Sequence, residues 1–87
     1  MARYVHPTIK KLLESPTEGE SIRVALVIKD GSETHVSQSV ERLAGQVERT
    51  LPSGVLLVEI PHTNLSELCE LRDVESISPD EQMEILG

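Results

Sequence analysis

The sequence predicts a single α+β domain, with four strands and two helices in the order β-α-β-β-α-β and a helical segment ahead of them. Three observations carry this. Over residues 22–29 apolar side chains alternate with period two, the pattern of a strand. From Val36 they recur at i, i+4, i+7 and i+8, through Val40, Leu43 and Ala44, the stripe of an amphipathic helix. Two further strand candidates, 46–51 with Val47, Arg49 and Leu51 on one face and the strongly apolar 55–60, are separated by Pro52, Ser53 and Gly54, the spacing of a hairpin.

The elements follow in order. Residues 7–14 (PTIKKLLE) read as a short helix, with Pro7 suited to the first helical position and Ile9, Leu12 and Leu13 on one side. The stretch SPTEGES, residues 15–21, is dense in Pro, Gly, Ser and Glu and reads as a linker. Residues 1–20 are thus expected to be an arm appended to the main unit.

In the first strand of that unit Ile22, Val24, Leu26 and Ile28 form one face. Ala25 and Val27 make the other face partly apolar too, which fits a central strand rather than an edge. Asp30-Gly31 ends it as a turn. Ser32 or Thr34 is placed to cap the following helix, and Gly45 to stop it. After the hairpin, Pro61 halts the strand VLLVEI. Asn64 with Glu67 three positions on resembles a capping box, opening a short helix with Leu65, Leu68 and Cys69 on one side and an end near Arg72. A last strand is expected over 74–78. This order is that of the split βαβ, or ferredoxin-like, sandwich: a four-stranded antiparallel sheet with both helices on one face. The other face is left open, where a partner can dock.

Composition narrows the function. The 87 residues suffice for one domain of thin stability. Tyr4 is the sole aromatic, so the core must be aliphatic. Fifteen acidic against eight basic residues give a net charge of −7, which argues against nucleic acid, whose usual footprint is a basic patch. No stretch approaches the ~20 apolar residues of a membrane span. Lys10-Lys11 on so short a helix in an acidic chain does not make a membrane anchor. The opening MARYVHPTIKK has no apolar run of signal-peptide length, so a cytoplasmic protein is expected.

Chemistry is sparse. His6, His35 and His62 fall in separate segments without metal-ligand spacing, and no cofactor is expected. Cys69 with His62 could pair as nucleophile and base, yet Cys69 lies on the apolar side of its helix, where an inert buried thiol is the common case. The five glycines stand singly, without a phosphate-binding loop, and Glu14, Glu18, Glu20 and Glu33 form no acid–base pair. The expectation is a protein without enzymatic activity.

Residues 23–80 resemble the propeptide domain of subtilisin-family serine proteases, a fold shared with stand-alone inhibitors of those enzymes. The resemblance rests on a strand ending VIKDG, a helix closed by AGQV, the segment GQVERTLPSGVLLVEIP and, most strongly, LRDVESISPD at residues 71–80. It implies an inhibitor, or folding chaperone, of a subtilisin-family protease, with 21–80 as the inhibitor domain. Its open sheet face would rest on two surface helices of the protease, and Ser78 and Asp80 would meet the N-termini of those helices. Ser78 brings no charge, where many relatives carry an acid. Residues 81–87 would enter the substrate cleft as an added strand, with Leu86 in the primary specificity pocket, Met83 in the pocket three residues earlier, and Glu84 and Ile85 between them. Gly87 would either cross the catalytic site or shift the register by one. Such a tail behaves like a bound product.

Other readings stand beside this one. Met83, Ile85 and Leu86 could fold back on the arm. The same element order occurs in small-molecule regulatory modules of the ACT type, for which Asp30-Gly31 could supply the ligand loop. A docking subunit without an enzyme target is a third.

Overall fold

The computed structural model describes residues 3–52 and 54–80. Five strands and three helices follow one another as β1 (Tyr4–Val5), α1 (Pro7–Glu14), β2 (Ser21–Ile28), α2 (Glu33–Arg42), β3 (Gln46–Leu51), β4 (Val55–Pro61), α3 (Leu65–Cys69, entered through a 3-10 turn at His62–Asn64) and β5 (Val74–Pro79). The strands form one sheet in the order β1-β5-β2-β4-β3. The expected four-stranded antiparallel sheet is therefore corrected. A fifth strand joins its edge, and it pairs parallel to β5, with Tyr4 opposite Ser76 and Val5 opposite Ile77.

That fifth strand comes from the segment expected to be an appendage. Arg3 donates its N–H to the Glu75 carbonyl at 2.8 Å and His6 to that of Ile77 at 3.0 Å. The His6 ring then accepts the Thr8 N–H at 3.1 Å, turning the chain into α1. Two residues of pairing bury little by themselves. What fixes the arm is Ile9, wholly buried in the common core.

That core explains why the helices share a side. Ile9 of α1, Val36 and Val40 of α2, and Leu65, Leu68 and Cys69 of α3 form one cluster with Val24, Leu26 and Ile28 of β2 and Leu56, Val58 and Ile60 of β4. Successive strand residues point to opposite faces, so β2 and β4 each send every second side chain into this layer. The core holds no aromatic ring, since Tyr4 is half exposed.

Three helix ends differ from expectation. α2 closes in a Schellman arrangement, with Ala44 N–H on the Glu41 carbonyl and Gly45 N–H on that of Val40. The left-handed residue is Ala44, at φ 63°, not Gly45. Gly45 serves closeness instead: a Cβ there would meet the Glu59 carbonyl oxygen and Val40 Cγ1, each at 2.9 Å. Ser32 occupies the N-cap of α2, and its side chain makes no cap bond. Nor does Asn64 cap α3. Its Nδ2 reaches back 2.7 Å to the carbonyl of Leu43, the C-cap of α2.

Candidate functional site

The uncovered face of the sheet is built by the other phase of the strands. Across β5, β2 and β4 its rows run Ser76, Val27, Val55, then Ser78, Ala25, Leu57, with Arg23 opposite Glu59 in the next row. Tyr4 extends the first row onto β1 and Leu51 extends it onto β3. One end of the face is thus apolar, with Tyr4 50 % and Val27 39 % exposed. The other end is charged.

Between the two ends lies Leu57, on the open face yet 9 % exposed. The depression beside it, about 140 Å³, is lined by Arg23, Glu48, Arg49, Leu57, Val58 and Asp80. The pairing of β3 with β4 shifts between Val47 and Arg49, so Glu48 is the extra residue of a bulge. Because a bulge breaks strict alternation, adjacent residues can approach the same face. Arg49 stands opposite Leu57, and Glu48 reaches Arg23, its Oε1 3.2 Å from the Arg23 Nε.

Ser78 and Asp80, the residues assigned to helix contacts, both sit on this face. Ser78 is opposite Ala25 and half-buried. Asp80 follows β5 and donates its N–H to the Arg23 carbonyl at 3.0 Å. Met83, Glu84, Ile85, Leu86 and Gly87, assigned to the cleft, lie outside the described residues. Of the exposed apolar residues of the face, Val27 is marked in the sequence, with Ala25, as the apolar second side of a central strand, while Tyr4 carries no such signal.

The histidines have structural partners. His6 begins α1, His35 Nδ1 lies 2.7 Å from Asp73 Oδ2, and the His62 ring accepts the Thr17 N–H at 3.2 Å, pinning the 15–20 segment. Cys69 and His62 form no nucleophile pair. Cys69 is buried, and burial pushes its thiol up, with the neighbouring Glu70 charge adding to the shift. A thiol so held is a poor source of thiolate. Among the described residues no group of three or more His, Cys, Asp or Glu could hold a metal ion, and no helix is long and apolar enough to cross a membrane.

A larger depression, about 430 Å³, lies on the helix side and is lined from α2 and α3 by Ser39, Arg42, Leu43, Glu67, Glu70 and Leu71. Neither depression is lined by Asp30 or Gly31, the candidate ligand loop of a regulatory module. Gly31, at φ 80°, does what a turn requires.

A small α+β domain with one sheet face uncovered, apolar at one end and charged at the other, has the form of a docking domain for another protein. The particular class comes from the sequence as a whole. Residues 4–80 match the family model described as "Putative peptidase inhibitor domain", and the chain belongs to that family. Among solved structures, that of the Clostridium perfringens CspB protease contains a chain with the same fold. It is 21 % identical, with a TM-score of 0.63, over 82 % of this chain and 76 % of that one. No curated protein matches the chain.

Proposed function

We propose that the chain inhibits a subtilisin-family serine protease, resting its open sheet face on the enzyme and placing residues 81–87 in the substrate cleft as a product would lie. The observation that carries this reading is the peptidase inhibitor family match across residues 4–80. Two further points support it. The matched chain of the CspB protease structure shares the fold and is close in length to this one, because 82 % of one corresponds to 76 % of the other. And Ser78 and Asp80 share the open face at the point where β5 ends.

The chemistry is simple. A helix N-terminus offers unpaired N–H groups and a partial positive charge, and the Asp80 carboxylate can accept both. Ser78 can accept a hydrogen bond without adding charge. Apolar side chains such as Leu86 and Met83 then act as pocket anchors. Binding the folded enzyme in preference to its unfolded chain would also favour folding of the protease, which is the thermodynamic content of a chaperone role.

The test is to titrate the purified chain against a subtilisin while following hydrolysis of a chromogenic peptide. Sub-micromolar inhibition is expected, lost on removal of 81–87 with the circular dichroism spectrum unchanged. Asp80→Ala is expected to weaken inhibition about two- to fivefold, the range of a charge at a helix terminus. A folded chain that inhibits no subtilisin would overturn the proposal.

A further inference from the structure

Arg23 stands among acids. Glu59 is directly opposite it on β4, and Asp80 lies on its other side, hydrogen-bonded to its carbonyl at 3.0 Å. Opposed residues of an antiparallel ladder have Cβ atoms about 4.5–5.5 Å apart, so the Glu59 carboxylate is within reach of the arginine head, and Asp80 lines the same depression as Arg23. Yet among the described residues the ion pair of Arg23 is with Glu48, one strand beyond Glu59. The Arg23 side chain therefore leans across β4 towards Glu48, and although Asp80 lines the same depression, no ion pair joins it to Arg23 among the described residues. The bulge at Glu48 brings the partner carboxylate to this face. That carboxylate is the more enclosed of the two, with 28 % side-chain exposure against 58 % for Arg23, so Glu48 is the better fixed member.

We propose that Glu48 is a positioning residue: by holding Arg23 over β4 it keeps the Asp80 carboxylate available to hydrogen-bond donors of the partner protein. The proposal rests on the inhibitory reading for its use, though not for its geometry. An Asp80 carboxylate engaged by a guanidinium would have its lone pairs occupied and its charge offset before any partner arrived. It would then gain less from a helix N-terminus. Arg49 and Glu59 are the remaining charged groups around Arg23 and Glu48 on this face; Arg49 lines the same depression as Asp80, with no ion pair between the two among the described residues.

The experiment has two arms. In the first, the Asp80 carboxyl of the isolated full chain is titrated by carbon-detected NMR in wild type, Glu48→Gln, Glu59→Gln and the double variant Arg23→Gln/Glu48→Gln. Glu48→Gln is expected to lower the Asp80 midpoint clearly more than Glu59→Gln, which removes the same charge without releasing Arg23. The double variant is expected to return towards wild type. In the second arm, Glu48→Gln is expected to weaken subtilisin inhibition about two- to fivefold, the scale of an exposed ion pair, and Arg23→Gln to restore it in the double variant. Equal midpoint shifts in Glu48→Gln and Glu59→Gln would overturn the proposal, and so would a double variant inhibiting no better than Glu48→Gln. Should the wild type fail to inhibit, the inhibitory reading falls, while the NMR arm still decides the role of Glu48.

Discussion

The side chain of Asn64 donates a 2.7 Å hydrogen bond to the carbonyl of Leu43, joining the start of α3 to the end of α2 across 21 positions of sequence. The last carbonyls of a helix lack intrahelical donors, and this bond supplies one from another element. Asn64→Ala should lower stability by about 1–2 kcal/mol, the cost of leaving a partly buried acceptor without its partner. Asn64→Asp should cost more, because it sets a carboxylate against a carbonyl at the negative end of α2. Urea unfolding of the three proteins gives the ranking, and an Asp variant as stable as the wild type would contradict it.

Ala44 and Gly45 should respond in opposite ways to exchange of their side chains. At Gly45 an added Cβ would press on the Glu59 backbone at 2.9 Å, so Gly45→Ala should destabilise by about 1–3 kcal/mol, as overpacking does. Ala44 holds φ 63°, where a Cβ costs about 1 kcal/mol or more, so Ala44→Gly should leave stability unchanged or raise it by up to about 1 kcal/mol. Thermal melts would show the first midpoint falling and the second holding or rising.

Ile9 decides whether the N-terminal segment belongs to the cooperative fold. It is fully buried, and Ile9→Ala should cost about 2–5 kcal/mol, a large share of the roughly 5–15 kcal/mol that holds a native protein together. Ile9→Val should cost about 0.5–1.5 kcal/mol. If α1 were a loose appendage, both variants would melt with the wild type.

Cys69 should react with a disulfide reagent only as fast as the domain opens, since the thiol is buried. Its folded-state pKa is raised, so the native state holds the thiol proton more tightly than the unfolded chain. That contribution to stability is complete below the ordinary thiol value of 9.0 and is lost as pH rises through the higher folded value. The difference in denaturation midpoint between wild type and Cys69→Ala, followed from pH about 8 upward, isolates the effect. A difference that does not move with pH would refute it.

Much of this fold is legible in the sequence because its signals are local and repeated. Residues 22–28 alternate over enough positions for the strand and its buried face to be assigned together, and Leu51 and Val55 pair across three intervening residues as the hairpin requires. The spacing of Val36 and Val40 likewise fixes which side of α2 is buried. The arm is different. Tyr4–Val5 is too short for periodicity to register, and its pairing is set by β5, some 70 positions away in sequence. The open face was legible in part: a sheet covered on one side by helices must leave the other open, and Ser78 and Asp80 fall there by alternation.

Neighbouring residues alone set the order of the elements from α1 onward, the buried phase of β2, α2 and β4, and the family resemblance. Packing settled the rest: that β1 joins the sheet, that Asn64 serves α2 rather than α3, that Gly45 answers a close approach rather than a turn, and that a bulge breaks the alternation of β3 and draws Glu48 towards Arg23. Each of these depends on distances between segments far apart in the chain, and such distances are set when the layers pack, not when the elements form.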